Sequence, residues 1–197
     1  MQYSKAKKLA DRLVELLTPY CDIIHIAGSI RRAKPECGDM EIVCLPKKVF
    51  VTTDLFNEQK KVDPQFTKTL YACCINIISG TTTGRHVKAI LIGGMKLDLF
   101  LPQPHDYYRQ LAIRTGSAEF SHLVLAGTWK QKGWVGTHDG LRKQNECVRL
   151  GDKWACIVKD PVLPPAWNSE EEFFQWLELP WTEPQLRDQK KLINQYQ

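Results

Sequence analysis

Ile26-Ala27-Gly28-Ser29-Ile30-Arg31-Arg32-Ala33-Lys34-Pro35-Glu36-Cys37-Gly38-Asp39-Met40-Glu41-Ile42-Val43-Cys44 joins two apolar segments through a basic turn. The run from Ile23 to Ala27 predicts a strand, and Gly28-Ser29 predicts a tight turn that ends it. A basic, Pro-containing loop follows. Asp39-Met40-Glu41-Ile42-Val43 then predicts a second strand. Residues i and i+2 of a strand share a face, so Asp39 and Glu41 set two carboxylates side by side while Met40 points into the sheet. Two such carboxylates repel unless a cation sits between them. Mg²⁺ is commonly held by one or two carboxylates plus substrate phosphates.

Just upstream, Gly28-Ser29 offers backbone N–H groups and a hydroxyl of the kind that cradle phosphate. Arg31 or Arg32 can add charge-assisted bonds to phosphate oxygens. A third acid, Asp98, sits at the centre of the strand-like alternation Lys96-Leu97-Asp98-Leu99-Phe100-Leu101, where a charge needs a reason. A phosphate cradle running into a two-carboxylate strand suits metal-assisted nucleotidyl transfer. Each piece has a plainer reading: a turn, a solvated strand edge, a strand-end charge. The order of strand, turn, basic loop, acidic strand and third acidic strand favours a site.

These residues resemble the nucleotidyltransferase superfamily and, within it, the DNA polymerase beta-like family X DNA polymerases. That family's pattern is Gly-Ser-x-Arg-Arg, a loop, Gly-Asp-x-Asp, and a third Asp on a later strand. Here it reads Gly28-Ser29-Ile30-Arg31-Arg32, Gly38-Asp39-Met40-Glu41 and Asp98, without gaps from Gly28 to Asp39. One departure is Glu41, where the animal enzymes carry Asp. Further on, Thr115-Gly116-Ser117 matches the family's Thr-Gly-Ser before its nucleotide-contacting helix. Leu177-Glu178-Leu179-Pro180-Trp181-Thr182-Glu183-Pro184-Gln185-Leu186-Arg187 is similar to the terminal pattern Leu-Gly-Leu-Pro-aromatic-x-x-Pro-x-x-Arg, whose residues pack the subdomain and do no chemistry.

The resemblance covers nearly the whole chain and implies an α+β fold. A nucleotidyltransferase palm with a mixed β-sheet flanked by helices would span 1–101, and a small α+β thumb subdomain would span 102–197. No lyase-like or fingers-like domain is expected, because so little precedes Gly28. Such a minimal form suits a virus or phage. Asp39, Glu41 and Asp98 would be the catalytic metal ligands for two Mg²⁺ ions, with Mn²⁺ as the substitute. Gly28, Ser29, Arg32 and Gly38 would bind the triphosphate, and Gly116 and Ser117 would lie along sugar and base. The family's best-known member carries an aromatic pair before Thr-Gly-Ser that crowds a ribose 2′-hydroxyl. Ile113-Arg114 stands there in this chain, which implies weaker rejection of ribonucleotides.

Composition agrees with these expectations. The 197 residues suit one domain or two small ones, and 43% hydrophobic content suffices for a core. No apolar run of about 18 residues occurs, which argues against a membrane-spanning helix. The N-terminus leads into an amphipathic pattern and not an apolar signal core, so an intracellular protein is expected, in cytoplasm or in a host cell if viral. Seven cysteines without a Cys-x-x-Cys pair argue for reduced thiols, against a disulfide framework or zinc site. Residues 1–160 hold 24 Lys and Arg against 16 Asp and Glu, and residues 161–197 hold 3 against 6. A basic body suits a polyanion.

Along the chain, residues 3–20 predict a helix with Ala6, Leu9, Ala10, Leu13, Leu16 and Leu17 on one side, Ser4 as N-cap and Pro19 as its end. Residues 45–63, with Lys47-Lys48 and Lys60-Lys61, read as a polar connection with one short strand at Val49–Thr52, better solvated than bound to a nucleic-acid backbone. Phe66 to Ile78 gives no single reading. His86 to Ile92 and Met95 to Leu101 predict strands joined at Gly93-Gly94, with Asp98 beside Asp39 and Glu41. In the second half, helices are expected at 106–114 and 118–129 and strands at 134–138, 140–143 and 153–158. The five histidines, His25, His86, His105, His122 and His138, show no ligand spacing and read as surface or packing residues. The tryptophans read as core before base-stacking platform.

The expected function is transfer of a nucleotide from a (deoxy)nucleoside triphosphate to the 3′-hydroxyl of a DNA primer on its template, by a monomer without membrane association. This would be a small repair or gap-filling DNA polymerase. The alternatives are template-independent terminal transfer, transfer to another acceptor, and an inactive nucleic-acid-binding module.

Overall fold

The computed structural model describes residues 1–54 and 57–196. The chain divides into two compact units, Met1–Pro102 and Gln103–Gln197. The architecture is α+β with mixed sheets.

The first unit begins with α1 (Tyr3–Leu17), which buries Ala6, Ala10, Leu13 and Leu17 along one stripe. Ser4 lies inside this helix; Gln2 is the N-cap residue and makes no side-chain cap bond. The start is held by chain pairing instead: Gln2 bridges Glu36, and Tyr3 N–H donates to Pro35 O at 2.9 Å. Pro19 falls in a 3-10 turn, Thr18–Tyr20. Then come β1 (Cys21–Ile26), the four-residue helix α2 (Gly28–Arg31), β2 (Asp39–Pro46), β3 (Lys48–Asp54) and β4 (Asn57–Val62). The unit closes with α3 (Pro64–Ala72), β5 (Cys74–Gly80), β6 (His86–Leu91) and β7 (Lys96–Phe100).

Five of these strands form one sheet in the order β1-β2-β7-β6-β5, in which β2 and β7 run parallel and the other pairs antiparallel. Met40, Ile42, Leu97 and Leu99 project from one face into a core completed by α1 and by Phe66 and Leu70 of α3. Cys44 lies in that core, where burial and the neighbouring Cys21 thiol push its pKa well above the ordinary value. It therefore acts as a small hydrophobe.

Two segments differ from the sequence reading. Lys48–Asp54 and Asn57–Val62 pair as two antiparallel strands, where the sequence reads as a connection with one short strand. The second strand, Asn57-Glu58-Gln59-Lys60-Lys61-Val62, is too polar to announce itself by alternation. The stretch from Phe66 to Ile78 is ambiguous because it holds two elements. Asp63 caps α3 by accepting from Gln65 N–H at 2.8 Å, with Pro64 in the first helical position. β5 then pairs with β6 through two register shifts that break its period of two.

The second unit holds a 3-10 turn (Pro104–Asp106), α4 (Tyr107–Thr115), a π-helical segment (Phe120–Ala126) and α5 (Gly127–Gln131). A four-stranded sheet follows, built from β8 (Trp134–Thr137), β9 (Gly140–Lys143), β10 (Cys147–Leu150) and β11 (Lys153–Cys156) in the order β10-β11-β8-β9. β10 is an addition to the sequence reading. Next are α6 (Glu170–Trp176) and α7 (Lys190–Ile193). The core gathers Phe120, Trp129, Trp134, Trp167, Phe173 and Phe174. Arg187 is fully buried. It bonds Glu170 Oε1 at 2.7 Å and Thr182 O at 2.9 Å, with its guanidinium 4.8 Å from the Phe174 ring centre and 4.9 Å from that of Trp181. The C-terminal pattern thus serves packing. Among the described residues no helix is long and apolar enough to cross a membrane.

Candidate active site on the first sheet

The alternation of β2 sends Met40 and Ile42 into the core and leaves Asp39 and Glu41, both half-buried, on the opposite face. β7 lies beside it in parallel register, with Asp39 opposite Lys96, Glu41 opposite Asp98 and Val43 opposite Phe100. Glu41 and Asp98 are therefore direct cross-strand neighbours on one face. Like charges set so close weaken a sheet unless something positive offsets them.

Part of the offset comes from β6. Its register puts Lys88 opposite Asp98 and His86 opposite Phe100. His86 Nε2 lies 2.8 Å from Asp98 Oδ1, and Lys88 Nζ lies 3.7 Å from the same oxygen. The His86 ring lies flat on Phe100, with centroids 4.6 Å apart and planes 7° from parallel. Stacking and the hydrogen bond together fix which oxygen of Asp98 the imidazole holds. The sequence reading passed over His86, because a histidine twelve residues from an acid shows no ligand spacing; only the strand register joins them.

The Gly28-Ser29 corner meets Glu41. It is the first turn of α2, not an isolated turn. Gly28 has φ +61°, and a Cβ there would lie 2.0 Å from Glu41 Oε2. Both the backbone and the close approach call for glycine. Ala27 N–H donates to Glu41 O at 2.8 Å, which ties the corner to β2 by main chain as well. Ser29 Oγ is shut off from solvent and has no hydrogen-bond partner among the described residues. A buried hydroxyl left unsatisfied is costly and marks a place where a ligand oxygen would be welcome. Arg31 and Arg32 are half-buried beside it, and Gly38 is exposed.

Among the described residues no group of three His, Cys, Asp or Glu side chains converges as a formed metal cage. The donor chemistry nevertheless suits a hard divalent cation: three carboxylates on adjacent strands, two of them in direct register, next to an unpartnered hydroxyl.

The remaining candidates, Ile113, Arg114, Gly116 and Ser117, belong to the second unit, where Ile113, Gly116 and Ser117 make local contacts. Ser117 Oγ accepts from Phe120 N–H at 3.1 Å, and Ser117 N–H donates to Arg187 O at 3.1 Å. A Cβ on Gly116 would lie 2.7 Å from Ser121 Oγ and 2.8 Å from a Phe120 ring carbon, so glycine is required by packing. Ile113 packs partly against the aromatic core, and its carbonyl accepts from Ser121 Oγ at 2.7 Å. Arg114 is half-buried.

No protein-family model matches the chain, and no curated protein matches it.

Proposed function

We propose that this chain is a metal-dependent nucleotidyltransferase, a small DNA polymerase of the repair or gap-filling kind built as a palm (the first unit) and a thumb (the second). The observation that carries the reading is the in-register pair Glu41–Asp98 beside Asp39, with the Gly28 corner packed directly on the Glu41 carboxylate. Phosphate-binding corner and acidic strands then act as one site.

In the reaction the primer 3′-hydroxyl oxygen attacks the α-phosphorus of the triphosphate. A new phosphodiester bond forms, the bond between the α-phosphorus and the bridging oxygen breaks, pyrophosphate leaves and the hydroxyl proton is lost. Asp39, Glu41 and Asp98 would hold Mg²⁺ or Mn²⁺, which when bound makes the hydroxyl a better nucleophile and offsets charge on the phosphates. Ser29 donates its hydroxyl to a phosphate oxygen, and Arg32 adds a charged donor of about twice the strength of a neutral one. His86 holds one oxygen of Asp98 and leaves the rest of that carboxylate for its ligand role.

Primer extension with and without a template strand tests this reading. Extension that follows the template supports the polymerase. Extension of a lone single strand indicates terminal transfer, and no extension in either arm removes both.

A further inference from the structure

β3 and β4 form a ribbon of their own, hydrogen-bonded among the described residues to neither larger sheet. Its register sets Phe50 opposite Lys60 and Lys48 opposite Val62. Lys48, Phe50 and Lys60 therefore share one side of the ribbon. Phe50 is 68% exposed, against 38% for Tyr71 and 36% for Trp181, the next most exposed aromatics of the described residues. The Lys60 ammonium lies 5.7 Å from the centre of the Phe50 ring. Lys48 and Lys61 are exposed as well.

A two-stranded ribbon alone is marginally stable, and a phenylalanine in water adds nothing to it. The ring does have a use against a partner that offers flat apolar faces and negative charges in alternation. Unstacked nucleotides do both: a base lies on the ring while neighbouring phosphates meet ammonium groups. A duplex presents phosphates but keeps its base faces inside the stack, so it could use the lysines and not the ring. An acidic peptide would likewise engage only the lysines.

We propose that the β3–β4 ribbon is a platform for single-stranded nucleic acid, with a base stacked on Phe50 and flanking phosphates on Lys48 and Lys60. This rests on nucleic acid being the partner, and adds which part of the chain meets its unpaired segment.

The test is fluorescence anisotropy with a labelled thymidine oligonucleotide and a blunt duplex of equal length, in EDTA and without triphosphate. The full chain is compared with Phe50→Ala, Phe50→Trp, Lys48→Ala and Lys60→Ala. Phe50→Ala should weaken single-strand binding about tenfold and leave duplex binding unchanged, while Phe50→Trp keeps wild-type affinity. Each lysine variant should reduce the slope of log affinity against log salt by about 0.7. Wild-type single-strand affinity in Phe50→Ala, equal loss on single strand and duplex, or no single-strand binding by the wild type would overturn the proposal. So would a lower melting temperature for Phe50→Ala, since the ring would then serve the fold. The binding assay needs no catalysis. An inactive wild type that still shows the Phe50 defect removes the polymerase reading alone; an active one without the defect removes the ribbon alone.

Discussion

His86 and Ser29 are where single atoms carry the site. A carboxylate that ligates a metal depends on the hydrogen bond that orients it, and losing that partner commonly costs about 10- to 100-fold in metal affinity or activity. His86→Ala should therefore weaken Mn²⁺ binding, read by electron paramagnetic resonance, by at least about tenfold. His86→Gln should recover most of it, because its amide nitrogen can occupy the position of Nε2. Equal Mn²⁺ affinity in all three proteins would make the His86–Asp98 bond at 2.8 Å a packing feature only. Ser29 gives the opposite pairing of effects. Its hydroxyl is buried and unpartnered, so Ser29→Ala removes a desolvation cost of about 1 kcal/mol and should raise the melting temperature of the ligand-free protein. The same change should raise KM for the triphosphate while moving kcat less. A variant that is both less stable and normal in KM would show that the hydroxyl serves the fold.

At the scale of elements, α6 ends in a motif that usually takes glycine. Glu178 has φ +61°, and it sits just past the last helical turn. Its N–H donates to Gln175 O at 2.9 Å and Leu179 N–H donates to Phe174 O at 3.0 Å, the two bonds of a Schellman cap. A non-glycine residue in this conformation costs about 1 kcal/mol, so Glu178→Gly should stabilise the protein by about that amount in thermal or denaturant unfolding. The contact to Lys132 that is lost is small, since the Glu178 side chain is 81% exposed. A destabilised variant would mean that the Lys132 pair matters more than the backbone. Elements of this kind also mark how far local pattern reaches. The stripe of α1 and the alternation of β2, β6 and β7 were legible, because each has one buried face and a regular period. The Ser4 cap was misplaced because pairing of Gln2 with Glu36, remote in sequence, fixes where the helix begins. The polar strand β4 escaped because its sequence offers no apolar alternation, and the shifted strand β5 because its side chains do not alternate by burial. The helix read at 118–129 is present, but the sequence does not distinguish its π-helical stretch, Phe120–Ala126, from an ordinary α-helix.

For the whole molecule, the question is how distant segments meet. Asp39 and Glu41 could be put on one face from five consecutive residues. The sequence placed Asp98 beside Asp39 and Glu41, as the structure does, but its register directly opposite Glu41 depends on β7 inserting between β2 and β6, which no local pattern states. His86 and Lys88 follow from the same insertion. The site is thus a product of topology: two acids from one hairpin of the sheet, a third from another, and a glycine corner packed on the seam. If that assembly transfers nucleotides, its most exacting probe is Asp98→Asn, which keeps the shape and an oxygen for His86 but removes the charge that a cation requires. The measurement is incorporation of a labelled deoxynucleotide onto a recessed primer in Mg²⁺, for wild type and Asp98→Asn, with a chelator control. The expected result is extension by wild type that the chelator abolishes, and at least about a thousandfold loss in Asp98→Asn (about 4 kcal/mol in the barrier) at an unchanged melting temperature. No extension by wild type, or equal extension by the folded variant, would contradict it.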